Sequence, residues 1–199
     1  MKNIEYDLVI MGATGFTGKL VVEYLIKNYG VENEEFTWAI AGRDKNKLER
    51  LRSSFKYIDS NSDKIPTLVV DSHDAISLDK MTSISRLVIS TVGPYLKFGE
   101  ALVESCVKNS THYCDLTGEV PFIRRSIDSF DIKAKKNNCR IIHSCGFDSI
   151  PSDIGVLLLQ MDSLKKFNKR CDEVNLYVRS IRGGLSGGTI DSMISIYDY

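Results

Sequence analysis

Gly12-Ala13-Thr14-Gly15-Phe16-Thr17-Gly18 spaces its glycines as G-x-x-G-x-x-G, between an apolar run at residues 6–11 and a helix-like run at residues 19–25. Glycine lets a backbone turn tightly and approach a ligand, and the free N–H groups and dipole of a helix N-terminus favour an anion. A strand feeding such a turn, which then opens a helix, is the setting of the dinucleotide fingerprint G-x-G-x-x-G, of which this spacing is a variant. Glycines alone would fit any tight turn. The flanking strand and helix assign residues 12–18 to cradling a dinucleotide.

The end of the second strand reads out which dinucleotide. An acid there holds the ribose hydroxyls of NAD, whereas an arginine accommodates the 2′-phosphate of NADP. Here the strand ends at Ala41-Gly42-Arg43, so NADP is expected in preference to NAD, with Arg43 on the phosphate. Asp44 is the competing feature, as an NAD-type acid or as a cap for the next helix, and the cap is the favoured reading. Glu34 and Glu35 come too early in the chain for the ribose.

Other candidates follow later strands, because ligands of such sheets sit at the carboxyl ends of the strands. Asp71, ending strand three, lies near the adenine or starts a turn. Val92-Gly93-Pro94-Tyr95 should lie near the nicotinamide end, although Gly93 and Pro94 suit a rigid turn equally well. Asp115, Thr117 and Glu119 end strand five, as acid/base or substrate-orienting groups, or with Glu119 capping the helix that follows. Asp148 and Ser149, after strand six, could meet the nicotinamide carboxamide or a substrate, while Ser152 and Asp153 look like helix-start residues beside Pro151. Cys145 raises the thought of a cysteine nucleophile, but a cysteine at a strand end is more often a small buried hydrophobe. His112, Cys114 and Asp115 lack a second ligand pair at zinc spacing, so no metal is expected. The chain contains no Tyr-x-x-x-Lys pair, which argues against a short-chain dehydrogenase. No residue stands out as a hydride-transfer acid.

These groups need a scaffold, and the apolar periodicity supplies one. Strands are read at residues 6–11, 36–41, 67–71, 87–92, around 112–115 and at 140–144. Between them, helical spacing joins Leu20, Val21, Tyr24 and Leu25, then Leu48, Leu51 and Phe55, then Leu78 and Met81. Further helices carry Leu102, Val103, Cys106 and Val107, and then Phe122, Ile123, Ile127, Phe130 and Ala134. Residues 28–35 read as a polar loop and residues 53–65 as a polar, mobile stretch. Alternating strands and helices indicate a parallel sheet covered on both faces, a doubly wound α/β Rossmann domain over residues 1–150. After Pro151 come an apolar helix at 153–160 and a strand at 171–181, where Val174, Leu176 and Val178 alternate with Asn175, Tyr177 and Arg179. A glycine-rich turn at 183–188 then leads to a helix with Thr189 as its cap. Residues 151–199 are thus the incomplete start of a second, α+β domain, since one strand and one helix make no sheet.

Composition narrows the classes. In 199 residues, 43% are hydrophobic and 26% charged, values of a globular protein. Lys+Arg and Asp+Glu balance at 26 each, leaving no electrostatic case for nucleic acid or an anionic membrane surface. The N-terminus shows no apolar signal region, and the longest apolar run, residues 156–159, is too short to span a bilayer. Five cysteines without a C-x-x-C pair suit free thiols in a reducing compartment, which points to an intracellular protein.

The motifs at residues 12–18, 41–43 and 92–95, with Tyr113-Cys114-Asp115-Leu116-Thr117-Gly118-Glu119 and Gly146-Phe147-Asp148-Ser149-Ile150-Pro151-Ser152-Asp153, recur in this order in a known family. Over essentially its whole length the chain resembles the saccharopine dehydrogenase-like oxidoreductases, a group related to the bacterial trans-acting enoyl reductases of glycolipid synthesis. The resemblance implies an NAD(P)-binding Rossmann domain, a following α/β substrate and dimerisation domain, and a possible homodimer. It further implies a small-molecule or lipid-derived substrate, a place in lipid or glycolipid metabolism, and association with lipid droplets, membranes or mitochondria. Saccharopine itself is not an established substrate of this branch. Family members are considerably longer, which leaves two readings. One is an NADP-dependent oxidoreductase polarising a C=O, C=N or activated C=C bond, and the other is a truncated, catalytically silent NADP-binding or interaction protein.

Overall fold

In the computed structural model, which describes residues 2–180, 182–184 and 187–197, the apolar runs become one sheet. Its strands are β1 (Tyr6–Met11), β2 (Trp38–Gly42), β3 (Thr67–Val69), β4 (Ser85–Ser90), β5 (His112–Asp115) and β6 (Ile141–Ile142). They lie in the order β3-β2-β1-β4-β5-β6, and every pair is parallel. This is the doubly wound order of dinucleotide-binding sheets, with its switch point between β1 and β4.

The helices are α1 (Phe16–Tyr29), α2 (Lys45–Ser54), α3 (Ala75–Ser83), α4 (Tyr95–Phe98), α5 (Glu100–Lys108), α6 (Val120–Lys136), α7 (Ile150–Phe167) and α8 (Gly187–Tyr197). Side chains alternate across the sheet, so one apolar run feeds two cores. Val9, Met11, Ala39, Ala41 and Val88 face Leu78, Met81, Leu102, Val103 and Phe122 of α3, α5 and α6. Ile10 and Ile40 face Val22, Leu25, Leu48 and Leu51 of α1 and α2.

Several boundaries and faces differ from the sequence reading. On α1, Leu20 and Tyr24 are exposed, and the buried stripe is Gly18, Val22, Leu25 and Ile26. Gly18 sets that stripe, because its missing Cβ lets the helix approach β1, which turns Leu20 and Tyr24 outward. β4 begins earlier and ends earlier than residues 87–92, since Ser85 is buried with its Oγ donating to the Met81 carbonyl at 2.6 Å. β3 stops at Val69, before Asp71, and β6, paired only with β5, keeps two residues. The stretch read as mobile instead holds a 3-10 turn at Ser62–Lys64, anchored by buried Ser62 and Ile65.

The chain after β6 departs most. Helix α7 has no buried residue. No strand forms among the described residues of 171–181; Ile181 lies outside them, and Leu176, Tyr177 and Val178 are exposed. A strand needs a neighbour to take its backbone hydrogen bonds, and the described residues supply none here. Leu185 and Ser186 of the glycine-rich turn also lie outside the described residues. Helix α8 starts at Gly187, which puts Thr189 inside its first turn rather than at the cap.

Candidate functional site

The glycines after β1 have three different structural reasons. Gly12 has φ of +86°, and a Cβ there would lie 2.7 Å from Val92 Cγ2 and 2.8 Å from Thr91 Oγ1. Gly15 occupies the N-cap of α1, its N–H donating to the Gly12 carbonyl at 3.0 Å. At Gly18 a Cβ would meet the Gly12 carbonyl oxygen at 2.2 Å, so helix and turn touch through backbone. No side chain caps α1 and its first turn holds no acid, which leaves the N-terminus open to an anion. Ala13 is buried with its N–H on the Ala41 carbonyl, while Thr17 is half-buried and Phe16 exposed.

In front of this turn, at the carboxyl ends of β1, β2 and β4, lies a cavity of ≈ 260 Å³ lined by Gly12, Thr14, Gly15, Arg43, Ser72 and Thr91, among others. Arg43 is exposed and has no ion-pair partner among the described residues. Asp44 does not compete with it, because its carboxylate accepts the Lys47 N–H at 3.0 Å and caps α2. Asp71 turns the chain, accepting from His73 N at 2.9 Å, and the neighbouring Val70 and Ser72 line the cavity instead. A dinucleotide fits these residues: a turn in which Gly12 and Gly18 leave no room for a side chain, an uncapped helix end, and a free guanidinium where a 2′-phosphate would fall.

A second cavity, ≈ 280 Å³, opens beside the first and shares Thr91 and Gly93 with it. Its walls include Thr17, Thr117, Glu119, Asp148 and the α8 residues Ser192 and Met193. Val92 and Gly93 reach the first cavity, Pro94 is the N-cap of α4, and Tyr95 is largely a packing residue. The Tyr95 hydroxyl donates to the Ser90 carbonyl at 3.0 Å, its ring stacks on Phe122, and burial pushes the phenol up.

Asp115 stands in a buried network instead of facing a ligand. Its Oδ2 accepts from Tyr113 Oη at 2.8 Å and lies 2.7 Å from His143 Nδ1. Its Oδ1 accepts the N–H groups of Thr117 and Ser144 at 3.0 and 3.2 Å. His143 Nε2 in turn lies 2.9 Å from Ser126 Oγ, which ties β5, the end of β6 and α6 together. With the hydrogen on Nδ1, the other ring nitrogen accepts from Ser126. Glu119 leaves its own helix α6 without a side-chain cap and caps the preceding α4 instead. Its Oε1 accepts from Tyr95 N at 2.8 Å and Ser192 Oγ at 2.7 Å, and its Oε2 from Leu96 N at 2.7 Å. Thr117 is buried, its hydroxyl accepting from Glu119 N. Asp148 is exposed at the cavity edge, and Ser149 precedes α7 without forming a side-chain cap.

His143, Ser126, Ser72 and Ser192 were not singled out from sequence. His143 had a usable signal, a histidine directly after a strand that runs beside Asp115, whereas the serines had none. Cys145 is exposed and not buried as expected; partial burial and the Asp115 carboxylate raise its thiol. Burial, with Cys145 and Asp115 beside it, pushes Cys114 up to about 12. Neither is an activated nucleophile. Among the described residues no group of metal ligands assembles, and no helix is long and apolar enough to cross a membrane.

Residues 8–142 match the family described as Saccharopine dehydrogenase NADP binding domain. A Mycobacterium tuberculosis protein provisionally named a trans-acting enoyl reductase is 38% identical over 192 residues, 96% of this chain and 44% of that protein. The trans-acting enoyl reductase of Mycobacterium leprae is 37% identical over 187 residues, 94% of this chain and 43% of its own. The chain thus spans less than half the length of these relatives. Apo saccharopine dehydrogenase (L-Glu forming) from Saccharomyces cerevisiae shares the fold with a TM-score of 0.58 at 18% identity, over 77% of this chain and 32% of that one. Pen from Bacillus thuringiensis does so with a TM-score of 0.54 at 13% identity, over 84% and 60%. Likeness at such identities is likeness of fold alone. The glycine turn, the strand order and the match over residues 8–142 together make this chain a member of the saccharopine dehydrogenase NADP-binding domain family, whose dinucleotide is NADP.

Proposed function

We propose that this chain forms the cofactor-binding part of an NADP-dependent oxidoreductase. The observation that carries the reading is the free Arg43 guanidinium beside a cavity floored by the glycine turn, with Asp44 engaged as a helix cap. Residues Gly12, Ala13, Thr14, Gly15, Phe16, Thr17 and Gly18 would hold the pyrophosphate, and Arg43 the 2′-phosphate. The turn at Asp71 would present Ser72 toward the adenosine end, and residues 92–95 would shape the nicotinamide end.

When bound, NADPH supplies a hydride. The chain's own residues would orient it and receive the substrate in the second cavity, whose lining combines polar Thr17, Thr117 and Asp148 with apolar Leu116 and Met193. Asp115 and Glu119 already hold their donors, so neither would shuttle protons; Glu119 would shape the cavity wall, and Asp115 would brace the strand ends behind it. The relatives' name supports an activated C=C bond of an enoyl group as the acceptor, and the lipid or glycolipid setting is carried over from the family resemblance. We read residues 151–199 as the start of a substrate domain, because α7 buries nothing and residues 171–180 find no strand partner.

A second reading, a cofactor-binding protein without its own turnover, is favoured by the same exposed segment, where α7 buries nothing and the described residues 171–180 form no strand. Titration of the purified chain with NADPH and NADH, alongside Arg43→Ala, tests the cofactor site. Tighter NADPH binding that the variant abolishes supports it, and equal binding of both nucleotides overturns it. Turnover of an enoyl thioester with NADPH by this chain alone would sink the silent reading.

A further inference from the structure

Glu119 is 1% exposed, yet its two oxygens collect hydrogen bonds from three separate donors. Two are the backbone N–H groups of Tyr95 and Leu96, the first residues of α4, at 2.8 and 2.7 Å. The third is Ser192 Oγ of α8 at 2.7 Å. An ionised carboxylate accepts at both oxygens and donates nothing, so it suits this arrangement as an amide cannot. Gly93, shared by both cavities, lies directly beside the same serine; a Cβ on it would stand 3.5 Å from Ser192 Oγ.

Helix α8 leaves much of its apolar surface uncovered. Its apolar residues Ile190, Met193, Ile194 and Ile196 remain 39–55% exposed, and its one buried residue, Ser195, bonds back to Asp191 within the helix. Gly188, Thr189, Ser192, Met193 and Ile196 nevertheless line the second cavity, together with Thr17 and Thr117. A hydrogen bond to a charged acceptor in a buried place contributes more than a neutral one, and its loss leaves that acceptor short of a donor.

We propose that Glu119 is a positioning residue, which fixes the turn at residues 93–95 through α4 and holds α8 through Ser192 as the roof over the nicotinamide end of the cofactor site. This rests on the reading that the second cavity receives the nicotinamide, and adds to it the device that encloses that end. Glu119 acts through the elements it ties and touches no reacting atom.

The test compares two probes on the full chain. NADPH fluorescence reports enclosure of the reduced nicotinamide, and 2′,5′-ADP reports the adenosine half, which does not reach α8. In the wild type, NADPH emission should rise and shift to the blue on binding. Ser192→Ala removes only the α8 contact, so it should lose most of that change and weaken NADPH about 3- to 10-fold, with 2′,5′-ADP affinity unaltered. Glu119→Gln should do the same and in addition speed amide exchange at residues 95–98, which Ser192→Ala leaves protected. A Ser192→Ala protein with wild-type emission and NADPH affinity overturns the proposal while the cavity reading stands. A wild-type chain that binds 2′,5′-ADP but leaves NADPH emission unchanged overturns both. Should Glu119→Gln fail to fold, Ser192→Ala alone decides the matter.

Discussion

The Gly18 backbone abuts the carbonyl oxygen of Gly12 so closely that a Cβ at Gly18 would lie 2.2 Å from it. Neither side of that contact can yield by rotating a side chain. Gly18→Ala should therefore cost about 1–3 kcal/mol, the usual range for overpacking, and lose NADPH binding as α1 shifts away from the turn. Gly15→Ala, whose Cβ would meet the same oxygen at 3.3 Å, should be milder. Urea midpoints with parallel NADPH titrations check both.

Asp44 caps α2 through the Lys47 N–H, so Asp44→Ala should destabilise by about 0.5–2 kcal/mol. It should leave the preference for NADPH over NADH intact. Arg43→Ala should do the reverse, with near-native stability and an NADPH affinity lowered about 10- to 100-fold. A change of preference in the Asp44 variant would reinstate that carboxylate as a ribose ligand.

The Asp115 network gives a graded series. Asp115→Ala strands the Tyr113 hydroxyl, two backbone N–H groups and His143 in a buried place, and should cost about 3–5 kcal/mol. Ser126→Ala removes one hydrogen bond to His143 and should cost about 1 kcal/mol. Equal losses in the two variants would deny Asp115 its central place.

Alkaline pH should destabilise the fold. Burial raises Tyr95, Tyr113 and Cys106 above their ordinary values of 10.0, 10.0 and 9.0, and Cys114 to about 12. These groups keep their protons in the folded chain where the unfolded chain has lost them. Stability is thus fully present below about pH 9 and falls as pH rises beyond it, since the folded state binds more protons there. Tyr113→Phe should flatten the part of this slope that lies above pH 10. Unfolding free energies across pH 7–11 would show it.

Thiol labelling separates the cysteines by place. Cys145 is exposed but its thiol is raised, so at neutral pH it should react with iodoacetamide, and more slowly than free cysteine. Buried Cys106 should label only on unfolding. Peptide mapping after timed labelling reads both.

Much of this was legible in the sequence, and the misses have physical causes. Period and punctuation sufficed for the parallel sheet, because its strands are short runs closed at or soon after their ends by residues such as Gly12, Gly42, Asp71, Ser90 and Asp115. The face of α1 was misjudged because hydrophobicity pointed to Leu20 and Tyr24, whereas the buried stripe is fixed by Gly18, a residue with no side chain to register in the pattern. Asp115 and Glu119 stood out as carboxylates at a strand end. Their roles depend on His143, Tyr95, Leu96 and Ser192, which come from other elements, and no local spacing announces such partners. Residues 171–180 show a strand's alternation without a strand, for a pattern specifies a face and not the neighbour that must cover it.

The strand order carries a consequence for how such a protein can diverge. Arg43 follows β2, on one side of β1, while Thr117, Glu119 and Asp148 follow β5 and β6, beyond β4 on the other. On the proposed reading, choice of cofactor and choice of acceptor would fall on separate flanks of the sheet, with the glycine turn between them as common ground. Drift in one flank need not disturb the other, so a lineage could exchange NADP for NAD at one loop, or take up a new acceptor, without rebuilding the half it keeps.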